Sequence, residues 1–392
     1  MQNRTEMENM VFNRRELDFL LYEFLNTERL CNTDKYSAHD RETFDAVIDS
    51  ALRVADEKFA NHAAELDANE PSFDGEKVSL IPEVQQALDA YVEGGFMAAG
   101  FSEADGGLQM PYIMVVVLNW IFSTANTGTT GYPFLAIAAA NLLAAHGSDE
   151  QKERYMKPII EGRFLGTMCL SEPHAGSSLG DIRTKAEPTE HGWDNITGSK
   201  MWISGGEHEL SENIVQLVLA KIPGSPPGSK GISLFLVPKY RLNDDGSIGE
   251  HNNIALAGLN HKMGYRGTVN TLLNFGEKGE CRGWLVGEPN QGLACMFHMM
   301  NEARIMVGLN AAINGYSGYL YSLDYARNRP QGRHAQARDP EKPQVPIIQH
   351  ADVKRMLLVQ KAYSEGALAL CMYGTSLVDQ LSTSDDESRR AE

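Results

Sequence analysis

Two short segments of the chain carry residue types that could bind a planar, charged ligand. In the first, Met168-Cys-Leu-Ser-Glu-Pro-His-Ala-Gly-Ser-Ser178, a strand ends at Leu170, Pro173 favours a turn, and Gly176 permits a positive φ. The serines that follow offer hydroxyl and amide donors, which can hold a phosphate or a polar ring edge. Taken alone, this pattern is more typical of an ordinary turn.

The second segment, Gly198-Ser-Lys-Met-Trp-Ile-Ser204, begins 21 residues after Ser177. Alternation along a strand would place Trp202 and Ser204 on the same face. An indole can cover a planar heterocycle, and a hydroxyl can donate to a ring nitrogen or carbonyl. A lone strand tryptophan more often packs in the core, so it is the pairing of the two segments that favours a binding site.

Composition narrows the class of protein. The chain has 35 basic against 52 acidic residues, a formal net charge of −17, which argues against a nucleic-acid partner. Five cysteines without CxxC spacing are typical of reduced thiols. The N-terminus lacks a signal-peptide pattern, and the most apolar stretches fall short of the roughly 20 residues that span a bilayer. We therefore predict a cytoplasmic protein with no membrane span.

The spacing of apolar residues changes twice along the chain. Helical spacing up to about residue 164 gives way to short strands separated by glycines and prolines, and long helices return after Gly292. This pattern predicts an α+β multidomain protein: an N-terminal helical domain, a central β-barrel or sandwich, and a partial C-terminal helical bundle. The predicted segments are an N-terminal extension 1–38 and domains 39–165, 166–285 and 286–392.

The last predicted helix, Ala351–Leu381, has apolar residues around most of its circumference. Such a helix needs several neighbours, yet one long helix, Leu293–Asn328, precedes it in the same region, whereas bundles usually contain four. The expectation is therefore that the chain is C-terminally incomplete or that a partner covers this helix.

SEPHAGS followed by KMWIS resembles the paired flavin-binding signatures of the acyl-CoA dehydrogenase family. Further family-like segments follow in the family's order over roughly residues 40–380: GISLFLVP, Gly287–Gly292, Asn301–Arg304, Arg327–Arg329 and Pro346–His350. The sequence around GISLFLVP and the insertion 333–343 resemble more the subgroup that contains 3-methylmercaptopropionyl-CoA dehydrogenase and long bacterial acyl-CoA dehydrogenases. Met168, His174 and Ala351 depart from the residues common at these positions, which affects the expected pocket shape.

The resemblance implies FAD as the cofactor. In chain order, the implied cofactor-binding residues are Met168, Leu170, Ser171, Gly176, Ser177, Trp202, Ile203, Ser204, Arg329, Gln331 and Gly332. Ser171 would donate to the flavin pyrimidine edge, and Trp202 would cover the isoalloxazine. Arg329 and its neighbours would reach the FAD of another subunit, which implies a homo-oligomer. The implied acyl-CoA-binding residues are Ser177, Asn301 and Arg304.

The implied reaction is α,β-dehydrogenation of an acyl-CoA to the trans-2-enoyl-CoA, with electrons passed to an electron-transfer flavoprotein. A carboxylate removes the α-proton. The family's usual glutamate base is expected beyond Glu392, and its rarer position is Ala303 here. Glu302, rotated from that position by roughly 100° about the helix axis, is a weak candidate, and a solvated surface glutamate is the simpler interpretation; Glu365 is a weaker one.

Two other classes of site are not predicted. Glu207-His208-Glu209 looks metal-like but lacks a second ligand group at zinc spacing, so no metal is expected. The chain has no GxGxxG, which argues against a nicotinamide Rossmann domain. The alternative function is a non-catalytic protein that binds flavin or acyl-CoA, or one half of a hetero-oligomeric dehydrogenase.

Overall fold

The computed structural model describes residues 12–334 and 341–384. The α-helices are α1 Arg14–Asp18, α2 Arg41–Val54, α3 Ala63–Ala68, α4 Pro82–Glu93, α5 Tyr112–His146, α6 Asp149–Gln151, α7 Lys157–Ile160, α8 Gly292–Asn328 and α9 Ala351–Thr383. The strands are β1 Ser72–Phe73, β2 Val78–Ser79, β3 Phe164–Cys169, β4 Lys185–Pro188, β5 Asp194–Ser204, β6 Asn213–Lys221, β7 Ile232–Pro238, β8 Tyr240–Leu242, β9 Ile248–His251, β10 Ile254–Leu259, β11 Asn270–Phe275 and β12 Arg282–Val286. The predicted order of helices, strands and helices is confirmed.

Helix α6 begins with a capping box at Ser148. Its hydroxyl accepts a hydrogen bond from the amide of Gln151, whose side chain accepts one from the Ser148 amide in return. The backbone amides of Ser148 and Gln151, which have no partner within the helix, thereby each donate a hydrogen bond. The side-chain nitrogen of Gln151 also donates to the carbonyl of Leu285, which fixes α6 on β12.

Helix α5 is interrupted at Asn126, which has φ −160° and ψ 92°. The Asn126 side chain compensates for the interruption. It accepts from the amide of Thr129 and donates to the carbonyl of Phe59. A side chain that bonds nearby backbone groups in this way competes with the helical ladder and ends it locally.

The central strands form one eight-stranded sheet in the order β10-β11-β5-β12-β7-β6-β3, with β4 paired to β5 and β6. Strands β3 and β6 run parallel. Strand β5 is shared: its first half pairs with β4 and β12, and its second half pairs with β11. The first half of β5 is therefore held on both sides by neighbouring strands. The second half carries the KMWIS segment.

Buried side chains from both parts of this sheet form a common core. It consists of Cys169, Ala186, Ile196, Ile203, Val218, Ala220, Phe235, Val237, Ile254, Leu273, Phe275 and Cys281. Strands β6 and β7 are buried on both faces, so they lie at the centre of this core.

The chain folds into two compact units. Of the described residues, one unit contains 12–52, 110–125, 304–334 and 341–384; the other contains 53–109 and 126–303. In the first unit, Asp379 of α9 accepts hydrogen bonds from the amides of Tyr112 and Ile113 and so caps α5. The four segments predicted from the sequence follow the order of element types and do not coincide with these units.

Helix α9 was predicted to be apolar on most sides, and it is only partly covered in the structure. Leu368 and Met372 are fully buried. Leu358 and Leu370 are exposed, and Tyr363 has 78% of its surface accessible. Within the described residues, none of the helices combines the length and hydropathy needed to cross a membrane.

Candidate active site

The structure places the two sequence segments side by side. The amide of Met201 on β5 donates to the carbonyl of Ser171, at 2.9 Å, directly after β3 ends. The turn after β3 therefore lies directly beside the second half of β5.

A buried ion pair joins the same two segments. The Lys200 ammonium lies 2.9 Å from a carboxylate oxygen of Glu172 and 2.9 Å from the carbonyl oxygen of Leu170. The Lys200 side chain is completely inaccessible to solvent. Glu172 also accepts from the amides of Arg183 and Thr184 and from the Thr184 hydroxyl.

The pKa values of this pair reflect burial working against attraction. Burial raises the pKa of Glu172, but the Lys200 charge and the hydrogen bonds from Thr184 and Arg183 outweigh it, so the pKa of that carboxyl ends below its usual value. Burial lowers the pKa of Lys200, and attraction to Glu172 opposes this.

Several donors in the turn remain available. In the part of the chain that the structure describes, the amide and hydroxyl of Ser171 make no hydrogen bond, and neither does the hydroxyl of Ser177. Gly176 does not adopt the positive φ anticipated from the sequence. A Cβ at Gly176 would instead enter open space, with no atom within 4 Å. The turn therefore presents free donors beside an open surface.

Trp202 is not a core tryptophan. It is the extra residue of a β-bulge, because Ile203 pairs with Thr271 while Met201 pairs with the next residue, Leu272. Its backbone is left-handed, with φ 65°, and its side chain is 56% exposed. A bulky residue rarely adopts this backbone conformation, and a bulge redirects a side chain out of the regular strand pattern.

The residues on either side of the bulge differ in what they can offer a ligand. The Ile203 side chain is 2% exposed and belongs to the sheet core, and its carbonyl accepts from the Thr271 hydroxyl. The Ile203 side chain is therefore directed into the sheet core, and the contact of Ile203 with the cofactor stays a prediction. The Ser204 hydroxyl accepts from Asn270 at 3.1 Å and keeps its own proton for donation.

Met168 and Leu170 lie at the end of β3 and are partly buried. Met168 is the penultimate residue of the strand and pairs with Leu217. Leu170 is the first residue after the strand. Both side chains are therefore partly accessible to solvent, close in sequence to Ser171.

Arg329, Gln331 and Gly332 lie in the other unit, just after α8. The amide of Gln331 donates to Val345, and the amide of Val345 donates to Gly332, so a short antiparallel bridge holds the segment. Gly332 has φ 69°, which favours glycine. The side chains of Arg329 and Gln331 are exposed.

Asn301 and Arg304 are exposed and lie three residues apart on α8, which places them on neighbouring positions of one helix face. Glu302, between them, is not the solvated surface residue suggested by the sequence. Its carboxylate is 23% exposed and accepts from the Asn141 amide at 3.0 and 3.2 Å. Burial raises the pKa of Glu302 to about 7, although the Asn141 hydrogen bond works in the opposite direction.

The metal-like segment Glu207–Glu209 has a structural explanation. Lys239 lies 2.5 Å from Glu207 and 3.1 Å from Glu209, so it neutralises both carboxylates. His208 is fully buried with its ring edge-on to Tyr132, and burial lowers the pKa of His208 to about 3. Among the described residues, no three His, Cys, Asp or Glu side chains are grouped so that they could hold a metal ion.

Comparison with known proteins identifies the family. The model of the acyl-CoA dehydrogenase N-terminal domain matches residues 41–163. The chain is 37% identical over 373 residues to the broad-specificity linear acyl-CoA dehydrogenase FadE5 of Mycobacterium tuberculosis, covering 94% of this chain and 61% of that protein. It is 35% identical over 356 residues to 3-methylmercaptopropionyl-CoA dehydrogenase of Ruegeria pomeroyi, covering 89% of this chain and 60% of that protein. The chain belongs to the acyl-CoA dehydrogenase family.

The fold agrees with this family. An acyl-CoA dehydrogenase from Bacillus anthracis, solved in complex with FAD, superimposes with a TM-score of 0.71 at 19% identity over 92% of this chain and 55% of that chain. The chain spans about three fifths of the length of the two curated relatives. The predicted family is confirmed by the curated relatives, which include 3-methylmercaptopropionyl-CoA dehydrogenase.

Sequence reasoning missed Glu172 and Lys200 as members of the site. Both lie inside the signature segments, where their residue types alone did not indicate a role. The available signal was one acidic and one basic residue in two segments predicted to lie in a β core, where unpaired charges are rare.

Proposed function

We propose that this chain binds FAD non-covalently at the edge formed by the turn after β3 and the second half of β5. The observation that carries the proposal is the juxtaposition of an exposed, bulged Trp202 with the free donors of Ser171. An exposed indole can cover a flat ring system. The open space at Gly176 would admit a ligand close to the backbone.

In this proposal each side chain has a defined part. The Ser171 amide and hydroxyl donate to the flavin pyrimidine edge, and Met168 and Leu170 line the ring. Gly176 and Ser177 lie by the pyrophosphate, and Ser204 donates near the reactive part of the ring. Arg329, Gln331 and Gly332 hold the adenosine diphosphate half of the FAD of a second subunit, so the working form is a homo-oligomer.

The reaction we propose is oxidation of an acyl-CoA to its trans-2-enoyl-CoA. When bound, the flavin supplies the redox chemistry by accepting the β-hydrogen as hydride. A carboxylate accepts the α-proton, and an electron-transfer flavoprotein accepts the two electrons. Ser177, Asn301 and Arg304 bind the CoA portion. The five free cysteines agree with a cytoplasmic location.

The test uses the full chain of 392 residues. The purified protein is loaded with FAD and its visible spectrum recorded; then it is mixed anaerobically with butyryl-CoA, a long-chain acyl-CoA or 3-methylthiopropanoyl-CoA. Loss of flavin absorbance with one of these substrates supports the proposed dehydrogenation. A protein that remains colourless after reconstitution contradicts the proposed cofactor.

The alternative, a non-catalytic flavin or acyl-CoA-binding protein or one half of a hetero-oligomer, is favoured by one observation. The rarer family position for the base is Ala303, which has no acidic group. A flavin-loaded chain that binds acyl-CoA but shows no loss of absorbance would favour this alternative.

A further inference from the structure

We infer that Glu172 and Lys200 are positioning residues that hold the free donors of Ser171 at the site proposed for the flavin. The inference rests on the proposed function, because it assigns a purpose to the two residues behind the turn. They do not touch the ligand themselves; they fix the backbone that does.

The geometry gives three consecutive attachment points. The carbonyl of Leu170 and the carboxylate of Glu172 both accept from the Lys200 ammonium. The carbonyl of Ser171, between them, accepts from the amide of Met201, the residue after Lys200. These three acceptors of the turn are therefore held by β5, whereas the amide and hydroxyl of Ser171 make no hydrogen bond among the described residues.

The far side of Glu172 is fixed as well. Its second oxygen accepts from the amide of Arg183 at 2.7 Å, and its first accepts from the amide and hydroxyl of Thr184. The carboxylate thus joins three separate segments: the turn, the stretch before β4, and β5.

Fold stability alone does not explain this arrangement. Burying two charges is expensive, and apolar residues of similar volume often serve a fold equally well. The pair also lies next to the residues that the proposed site uses, since Lys200 is two positions before Trp202 in the bulged strand. A buried pair that sets the direction of adjacent donors accounts for both facts.

Two single variants, Lys200→Met and Glu172→Gln, test the inference. We expect each folded variant to bind FAD roughly tenfold more weakly, the equivalent of losing one well-placed hydrogen bond. The visible spectrum of the bound flavin should also shift, because its pyrimidine edge would lose a fixed donor. If a single variant fails to fold, the double variant Glu172→Gln/Lys200→Met removes both charges and is read in the same way.

A matched control is available in the same unit. Lys239 is buried and paired with Glu207 and Glu209, outside the two signature segments. Lys239→Met should lower the unfolding temperature as Lys200→Met does, yet leave FAD affinity and spectrum unchanged. If Lys239→Met weakens FAD equally, the effect is general destabilisation and the inference is wrong.

A second measurement needs no cofactor. Amide hydrogen exchange of the flavin-free protein should accelerate at Arg183, Thr184 and Met201 in Lys200→Met, and remain as in the unmodified chain in Lys239→Met. Unchanged exchange, or unchanged FAD affinity and spectrum in a folded Lys200→Met protein, overturns the inference. If the unmodified chain binds no FAD, the proposed function fails, and exchange alone decides whether the pair positions the turn.

Discussion

The side-chain amide of Asn141 lies 3.0 and 3.2 Å from the two carboxylate oxygens of Glu302. This contact ties the first turns of α8 to α5 within one unit. His298 is nearby, with its ring nitrogen 4.0 Å from Glu302, and its ring meets that of His146 edge-on. Burial, together with the charge of His146, lowers the pKa of His298.

Glu302 should make stability depend on pH in a defined direction. Burial raises the pKa of Glu302 from 4.5 to about 7, so the folded state holds a proton that the unfolded chain releases. The stability that protonated Glu302 gives the folded state is therefore fully present below about pH 4.5 and is lost as pH rises through 7. We expect Glu302→Gln to be more stable than the unmodified chain by about 3 kcal/mol at pH 8 and nearly equally stable near pH 4.5. Urea unfolding measured across this range checks the difference.

The control for this experiment is the exposed Glu288. Glu288→Gln removes a carboxylate without removing a buried one, so its unfolding free energy should follow that of the unmodified chain at every pH. If Glu302→Gln also follows it, the Glu302 carboxylate is ionised at neutral pH and the assignment of a raised pKa is wrong.

The same variant tests whether Glu302 is the base. Its carboxylate accepts hydrogen bonds from Asn141 through both oxygens, so we expect Glu302→Gln to leave the rate of flavin reduction by acyl-CoA unchanged. Loss of a general base would lower that rate by about 10²–10⁴-fold. Stopped-flow bleaching distinguishes these results, and a loss of that size would identify Glu302 as the base.

The sequence predicted the order of elements and the pairing of the two signatures because both rest on local patterns. Strand β6, Asn213–Lys221, is an example of such a local pattern, because its Val, Ile and Leu residues are typical of a buried strand. The bulge at Trp202 could not be predicted, because it depends on the register between β5 and β11, which are separated by 65 residues of chain. Glu302 was misjudged for a similar reason: its partner Asn141 is 161 residues away.

Trp202 should contribute to ligand binding and little to the fold. Its side chain is mostly exposed, so Trp202→Ala should change the unfolding free energy of the flavin-free protein by less than about 0.5 kcal/mol. Removal of the indole, which covers the flavin ring in the proposed site, should raise the Kd for FAD about tenfold. Fluorescence titration with FAD and urea unfolding measure the two effects separately.

Trp193 provides the contrast, since it is buried in the same unit. Trp193→Ala should cost about 3 kcal/mol or more of unfolding free energy by leaving a cavity. A Trp202→Ala protein that is destabilised to the same degree would mean that the indole packs in the fold, contrary to its exposure.

Arg329 should affect FAD binding only where two subunits meet. The side chain is exposed and its backbone is held by a bond from the Ile347 amide to its carbonyl. We therefore expect Arg329→Ala to fold normally and to bind FAD about tenfold more weakly, the cost of about one charge-assisted hydrogen bond. Arg327→Ala, an exposed arginine two residues earlier, is the control. Equal effects of the two changes, in titrations at protein concentrations where the oligomer is intact, would indicate a loss of general positive charge.

Gly176 offers the most selective test of the proposed cofactor position. Its backbone does not require glycine, and a Cβ there would meet no atom of the chain within 4 Å. A side chain at this position should therefore be harmless to the empty protein and obstruct a ligand that approaches the backbone. We expect Gly176→Val to keep the unfolding temperature of the flavin-free protein and to bind FAD at least about a hundredfold more weakly, because a clash with the backbone-bound phosphates removes several hydrogen bonds together.

Gly258 on β10 has the same open surroundings and no positive φ, so Gly258→Val should bind FAD as the unmodified chain does. Titrations of the three proteins by the absorbance of bound flavin give the comparison. Undiminished FAD binding by Gly176→Val would place the cofactor away from this turn, whereas a fall in unfolding temperature for Gly176→Val alone would mean that the turn needs glycine for its own packing.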